Sequence, residues 1–114
     1  MRLETSLSKD SFEAGISDKL TSADLSKFRE LLSEIKKSAR KVIVIDLANL
    51  DWIDSAGLGM LILAKELAEK DNLELVLRSP KGHVKSLLEL GRFEKIFTIE
   101  DYPRVSPISN RKIE

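Results

Sequence analysis

Apolar residues recur along the chain with two periods, and the changes of period mark the elements. From Leu3 to Leu7 and from Phe12 to Ile16 they partly alternate with polar residues, with Ser8-Lys9-Asp10 between. This predicts a β-hairpin at the start of the fold. Thr21 and Ser22 then offer side-chain oxygens that cap helices, and Asp24 suits the positive end of a helix dipole. Leu25, Phe28, Leu32 and Ile35 follow at spacings of three and four, predicting a helix over roughly 22–38 with one apolar face. Val42-Ile43-Val44-Ile45 is an unbroken β-branched run, the pattern of a parallel strand buried on both faces.

Residues 48–54 read as a short connection. Ala56 to Lys70 reads as a broadly apolar helix through Leu58, Leu61, Ile62, Ala64, Leu67 and Ala68. Leu73 to Leu77 predicts the next strand, Ser79-Pro80-Lys81-Gly82 a turn, and Val84, Leu87, Leu88 and Leu90 a short helix. Ile96 to Ile99 supplies a last strand. Strands alternating with helices imply βαβ units. The expected fold is a single α/β domain over 1–102, with a mixed, mostly parallel β-sheet, an N-terminal hairpin and helices packed on the sheet. Residues 103–114 carry two prolines and no periodicity, and are expected to form a poorly ordered or loosely docked tail.

Composition narrows the chemistry. The 114 residues include 19 basic and 19 acidic ones, so the formal net charge is zero and the basic excess usual in nucleic-acid binders is missing. The chain has no Cys, hence no disulfide, thiolate nucleophile or thiolate metal site. No apolar run approaches the roughly 20 residues that span a bilayer, and the first residues lack the apolar stretch of a secretory signal, so the cytoplasm is the expected location. With one His, no carboxylates at metal spacing and no Gly-rich phosphate loop, neither catalysis, metal nor cofactor is expected. Ser33-Glu34-Ile35-Lys36 matches S-x-x-K, but it lies on a polar helix shoulder without companion motifs and is discounted. His83, in the predicted turn, is expected to be solvated. Trp52 is expected to cover one end of the core, the other reading being an interface anchor.

The most informative stretch is the Val42-to-Leu47 strand, then Leu50-Asp51-Trp52-Ile53, then Asp54-Ser55-Ala56-Gly57-Leu58-Gly59. It resembles the STAS domain family, whose bacterial anti-sigma factor antagonists carry Asp-Ser-(Ser/Thr/Ala)-Gly-(Leu/Ile)-Gly after a central strand. Leu73 to Leu77, Ser79-Pro80, Val84 to Leu88 and Gly91 to Phe97 also look like the family, so the likeness runs from about Phe12 to Asp101. It implies that Ser55 is a phosphorylation site. It also implies that Thr21, Asp51, Asp54, Ala56, Gly57, Leu58 and Gly59 contact a partner. By the same resemblance the implied partner is an anti-sigma factor acting as a serine-protein kinase, with a cognate phosphatase to reset the switch. Two departures stand out. Thr21 replaces a common Asp, and Ile16-Ser17-Asp18-Lys19-Leu20 lacks the usual Gly. The alternative is a non-switching accessory subunit of a transporter or signalling complex. A monomer or weak dimer is expected.

Ser55 falls at the start of the second helix, where unpaired N–H groups and the helix dipole make an anion tolerable. A hydroxyl there can also serve as an ordinary cap, and Asp51 or Asp54 can bond a capping N–H. Gly57 and Gly59 either allow close helix–sheet packing or let another protein approach Ser55.

Overall fold

Burial alternates along residues 11–16, with Phe12, Ala14 and Ile16 facing inward, and this strand organises the rest of the molecule. The structure is a computed structural model that describes residues 1–100 of the 114. Its strands are β1 (Arg2–Leu7), β2 (Ser11–Leu20), β3 (Val42–Asp46), β4 (Leu50–Ile53), β5 (Glu74–Arg78) and β6 (Thr98–Glu100). Its helices are α1 (Leu25–Ser38), α2 (Ser55–Lys70) and α3 (Gly82–Leu90), with single 3-10 turns at Ser22–Asp24 and Phe93–Lys95. The sheet order is β1-β2-β3-β5-β6, with β4 also paired to β2. Among the described residues only the β1–β2 pair is antiparallel.

One face of the sheet presents Phe12, Ala14, Ile16, Ile43, Ile45, Leu75 and Leu77 to the helices. There they join Phe28, Leu31 and Ile35 of α1, Met60 and Leu61 of α2, and Val84 and Leu88 of α3 in one core. Burying such side chains stabilises by about 1.5–3 kcal/mol each, which offsets the entropy of ordering the chain. The opposite face is partly polar. There Arg78 donates to Glu13 Oε1 at 2.8 Å and to Asp46 Oδ2 at 3.1 Å. Burial works to lower the Arg78 pKa, but the hydrogen bonds and charges of Glu13 and Asp46 outweigh it and hold the guanidinium above its ordinary value. Val44 and Val76 are buried on this face, so β3 is covered on both sides as its sequence predicts.

Four expectations about the elements and their core faces need correction. The predicted connection over residues 48–54 contains β4. Asp18, at φ 72°, breaks the β2 register, so the near half of β2 pairs with β3 and its far end with β4. The first helix begins as a 3-10 turn and buries Leu31, while Leu32 is only half-buried. Leu90 is 79% exposed, so it does not line α3's core face. The last strand starts at Thr98 because Phe93 and Phe97 turn inward and stack, ring centres 5.5 Å apart. The tail expectation for 103–114 lies outside the described residues.

Candidate functional site

The mouth of α2 is assembled by two strand ends. Leu20, last in β2, pairs with Ile53, last in β4, and the Leu20 carbonyl accepts the Asp54 N–H at 3.3 Å. Asp54 is in extended conformation and is the N-cap: its Oδ1 accepts the Gly57 N–H at 2.8 Å. Ser55 is therefore the first helical residue, and the capping role open to its hydroxyl is taken by Asp54. Ser55 is exposed.

The two glycines differ. A Cβ on Gly57 would lie 2.4 Å from the Leu20 carbonyl oxygen and 2.6 Å from Ile53 Cγ1, so Gly57 is buried and its missing side chain lets helix and strands close together. A Cβ on Gly59 would meet nothing within 4 Å, and Gly59 is exposed one turn beyond Ser55. Ala56 and Leu58 are half-buried beside it. Ser55, Gly59 and Leu63, spaced by four, form one exposed row along α2.

Thr21 directly follows Leu20, so the fold brings it to the same corner. It caps the 3-10 turn before α1: the Ala23 N–H donates to Thr21 Oγ1 at 3.4 Å, and the Thr21 N–H donates to Asp24 Oδ2 at 2.9 Å. Burial tends to raise the Asp24 pKa. Hydrogen bonds from the Met1 amino group and Thr21, with the amino group's charge, outweigh it and hold the carboxyl below its ordinary value. Asp51 is exposed on β4.

Trp52 does not cover the core. It is 47% exposed and stacks on His83, ring centres 4.2 Å apart and planes 8° from parallel. Outward orientation follows from β4's burial pattern, in which Leu50 and Ile53 point in and the two residues between them do not. His83 is exposed as expected but lies in the first turn of α3, and its Nε2 is 3.4 Å from the Ile53 carbonyl oxygen. The sequence separates these partners by about thirty residues, and no periodic signal joins them. Among the described residues no His, Cys, Asp and Glu cluster suits a metal ion, and no helix is long and apolar enough to cross a membrane.

A six-stranded mixed sheet with helices packed on one core face makes an α/β module, and it presents an exposed serine at the mouth of α2. The family model described as "Mlab, STAS domain" matches residues 8–100, and the chain belongs to the STAS domain family. The Bordetella bronchiseptica protein BtrV, which carries the name of an anti-sigma factor antagonist, is 39% identical over 70 residues, covering 61% of this chain and 60% of BtrV. The chain thus spans less than two thirds of that relative's length. Moorella thermoacetica RsbS, solved as a serine-to-glutamate variant, superposes with TM-score 0.74 at 27% identity, covering 91% of this chain and 90% of RsbS. TM1081 of Thermotoga maritima, described as an anti-sigma factor antagonist, superposes with TM-score 0.81 at 19% identity over 90% of this chain and 88% of its own, a likeness of fold.

Proposed function

We propose that the protein is a phosphorylation-switched binding module: unmodified, it docks an anti-sigma factor that is also a serine kinase, and phosphate on Ser55 releases it. The observation that carries this reading is the exposed Ser55 at the first position of α2, with capping already performed by Asp54. A phosphate there breaks no hydrogen bond that holds the fold. The helix dipole favours the anion by only ~0.3–1 kcal/mol. A phosphoserine adds about −1.5 to −2 charges. Facing an acidic or apolar partner surface at 4 Å and an effective dielectric near 20, each unit costs up to ~4 kcal/mol. Each ~1.4 kcal/mol is tenfold in affinity, so the partner contact governs the outcome. The serine-flanking positions Asp51, Asp54, Ala56, Leu58 and Gly59, with Thr21 at the adjoining corner, are the proposed contact surface. Gly57 shapes that surface from beneath. The kinase supplies ATP chemistry and a phosphatase resets the switch, while this chain contributes only the acceptor.

Incubation with the cognate kinase and ATP should raise the intact mass by one phosphate, and Ser55→Ala should abolish the rise. Ser55→Asp should weaken kinase binding at least about tenfold with an unchanged melting temperature. Phosphate found only on another residue rejects the reading. A stable complex with a transporter ATPase that ignores Ser55→Asp would favour the accessory-subunit reading instead.

A further inference from the structure

We propose that β1 is an interface for a second copy of this chain, joined antiparallel across a two-fold axis through Thr5. Among the described residues β1 lies at an outer edge of the sheet, paired on one side only. β1 is six residues long, pairs without interruption to β2 from Arg2↔Ser17 to Leu7↔Phe12, and contains no proline. Its Leu7 is 57% exposed.

The hydrogen-bond alternation of the hairpin says which backbone groups are available. Ser8 N–H donates to the Ser11 carbonyl at 2.9 Å. Antiparallel ladders alternate, so Arg2, Glu4 and Ser6 turn their N–H and C=O groups toward β2, while Leu3, Thr5 and Leu7 turn theirs outward. A second β1 must therefore bond through these same residues.

Two copies that keep their helices on one side of a continuous sheet pair odd residues with odd ones, because opposite residues share a face. Three registers satisfy this and also set Leu3 opposite an outward residue of the second β1. One sets Glu4 opposite Glu4, placing like charges face to face. Another sets Leu3 opposite Leu3 and Met1 opposite Thr5, but the Met1 carbonyl already accepts Lys27 Nζ at 3.2 Å and its amino group binds Asp24 at 2.9 Å. The third sets Thr5 opposite Thr5, Leu3 opposite Leu7 and Glu4 opposite Ser6. It pairs every outward group, covers the exposed Leu7 with the partner's Leu3, which packs on the core, and sets no like charges opposite one another.

Sedimentation equilibrium tests the interface, and disulfide trapping tests its register. The weight-average mass should climb with concentration toward twice the monomer's. Thr5→Pro should hold it at the monomer value. Its lost N–H points outward, so the β1–β2 ladder and the melting temperature should be spared. The chain has no Cys, so Thr5→Cys gives a single thiol whose symmetric partner lies about 5.5 Å away between Cα atoms, within disulfide range. Under oxidation it should form a covalent dimer at least about tenfold faster than Glu4→Cys, whose two copies sit diagonally. A monomer at every concentration, an equal mass for wild type and Thr5→Pro, or faster trapping by Glu4→Cys would overturn the proposal. So would an edge that takes up an extended peptide of another protein while two copies stay apart.

Discussion

The molecule has two helix mouths side by side at the ends of β2 and β4, and they are closed in different ways. At the 3-10 turn that leads into α1 the capping groups engage one another: the Thr21 N–H and the Met1 amino group both reach Asp24, and Ala23 donates to Thr21 Oγ1. At α2 a single carboxylate, Asp54, takes the Gly57 N–H and leaves the neighbouring hydroxyl outside the bonding. A hydroxyl that caps a helix is held against the N–H it accepts from. One set beside an independent cap is not. Division of labour between Asp54 and Ser55 is thus what separates a structural corner from one open to modification.

The sharpest way to break this arrangement is to pry α2 off its strands. Gly57→Ala should destabilise by about 3 kcal/mol, the upper range for overpacking, because the new methyl meets a backbone oxygen that cannot swing away; urea unfolding measures it. Asp54→Ala should cost about 1 kcal/mol, the usual worth of an N-cap, and should fray the turn that presents Ser55. Hydrogen exchange at Gly57 would rise in that variant and stay unchanged in Ser55→Ala. Gly59→Ala should go the other way and stabilise by about 0.5–1 kcal/mol, since its Cβ meets open space on a helix. If the open row on α2 is the contact surface, that gain should come with weaker kinase binding.

The smallest effect belongs to α1. Asp24 has a folded pKa below its unfolded value, so its contribution is complete above the unfolded value and fades as pH falls through the folded one. Melting temperatures between roughly pH 5 and 2, which bracket the ordinary aspartate value, should therefore fall less steeply in Asp24→Asn than in the parent chain. An identical slope would detach the α1 mouth from acid sensitivity.

Much of this architecture is legible in the sequence wherever the cause is local. The β-branched run at Val42–Ile45 gives β3, the three-and-four spacing gives α1, and the apolar stretch to Lys70 gives α2 within one residue. The Asp54-Ser55 pair marks its helix start from sequence, although which of the two does the capping needed φ and ψ. What escapes is long-range. β4 is four residues with two exposed in the middle, so neither period registers, and it exists because Asp18 breaks the β2 register. Leu31 and Leu32 fit an apolar face equally well until the sheet selects one. Glu13, Asp46 and Arg78 meet across three strands, and Trp52 meets His83 only through the docking of α3 on β4. Gly57 and Gly59 look alike in one dimension, and only the approach of Leu20 makes the first a packing requirement.

The stacked, half-open indole has a practical corollary. Trp52 is the sole tryptophan, three positions ahead of the serine and lying against an imidazole. Emission from this chain therefore reports on one small neighbourhood. A protein settling over the α2 mouth would change that emission without any dye, giving a direct optical titration of docking and release.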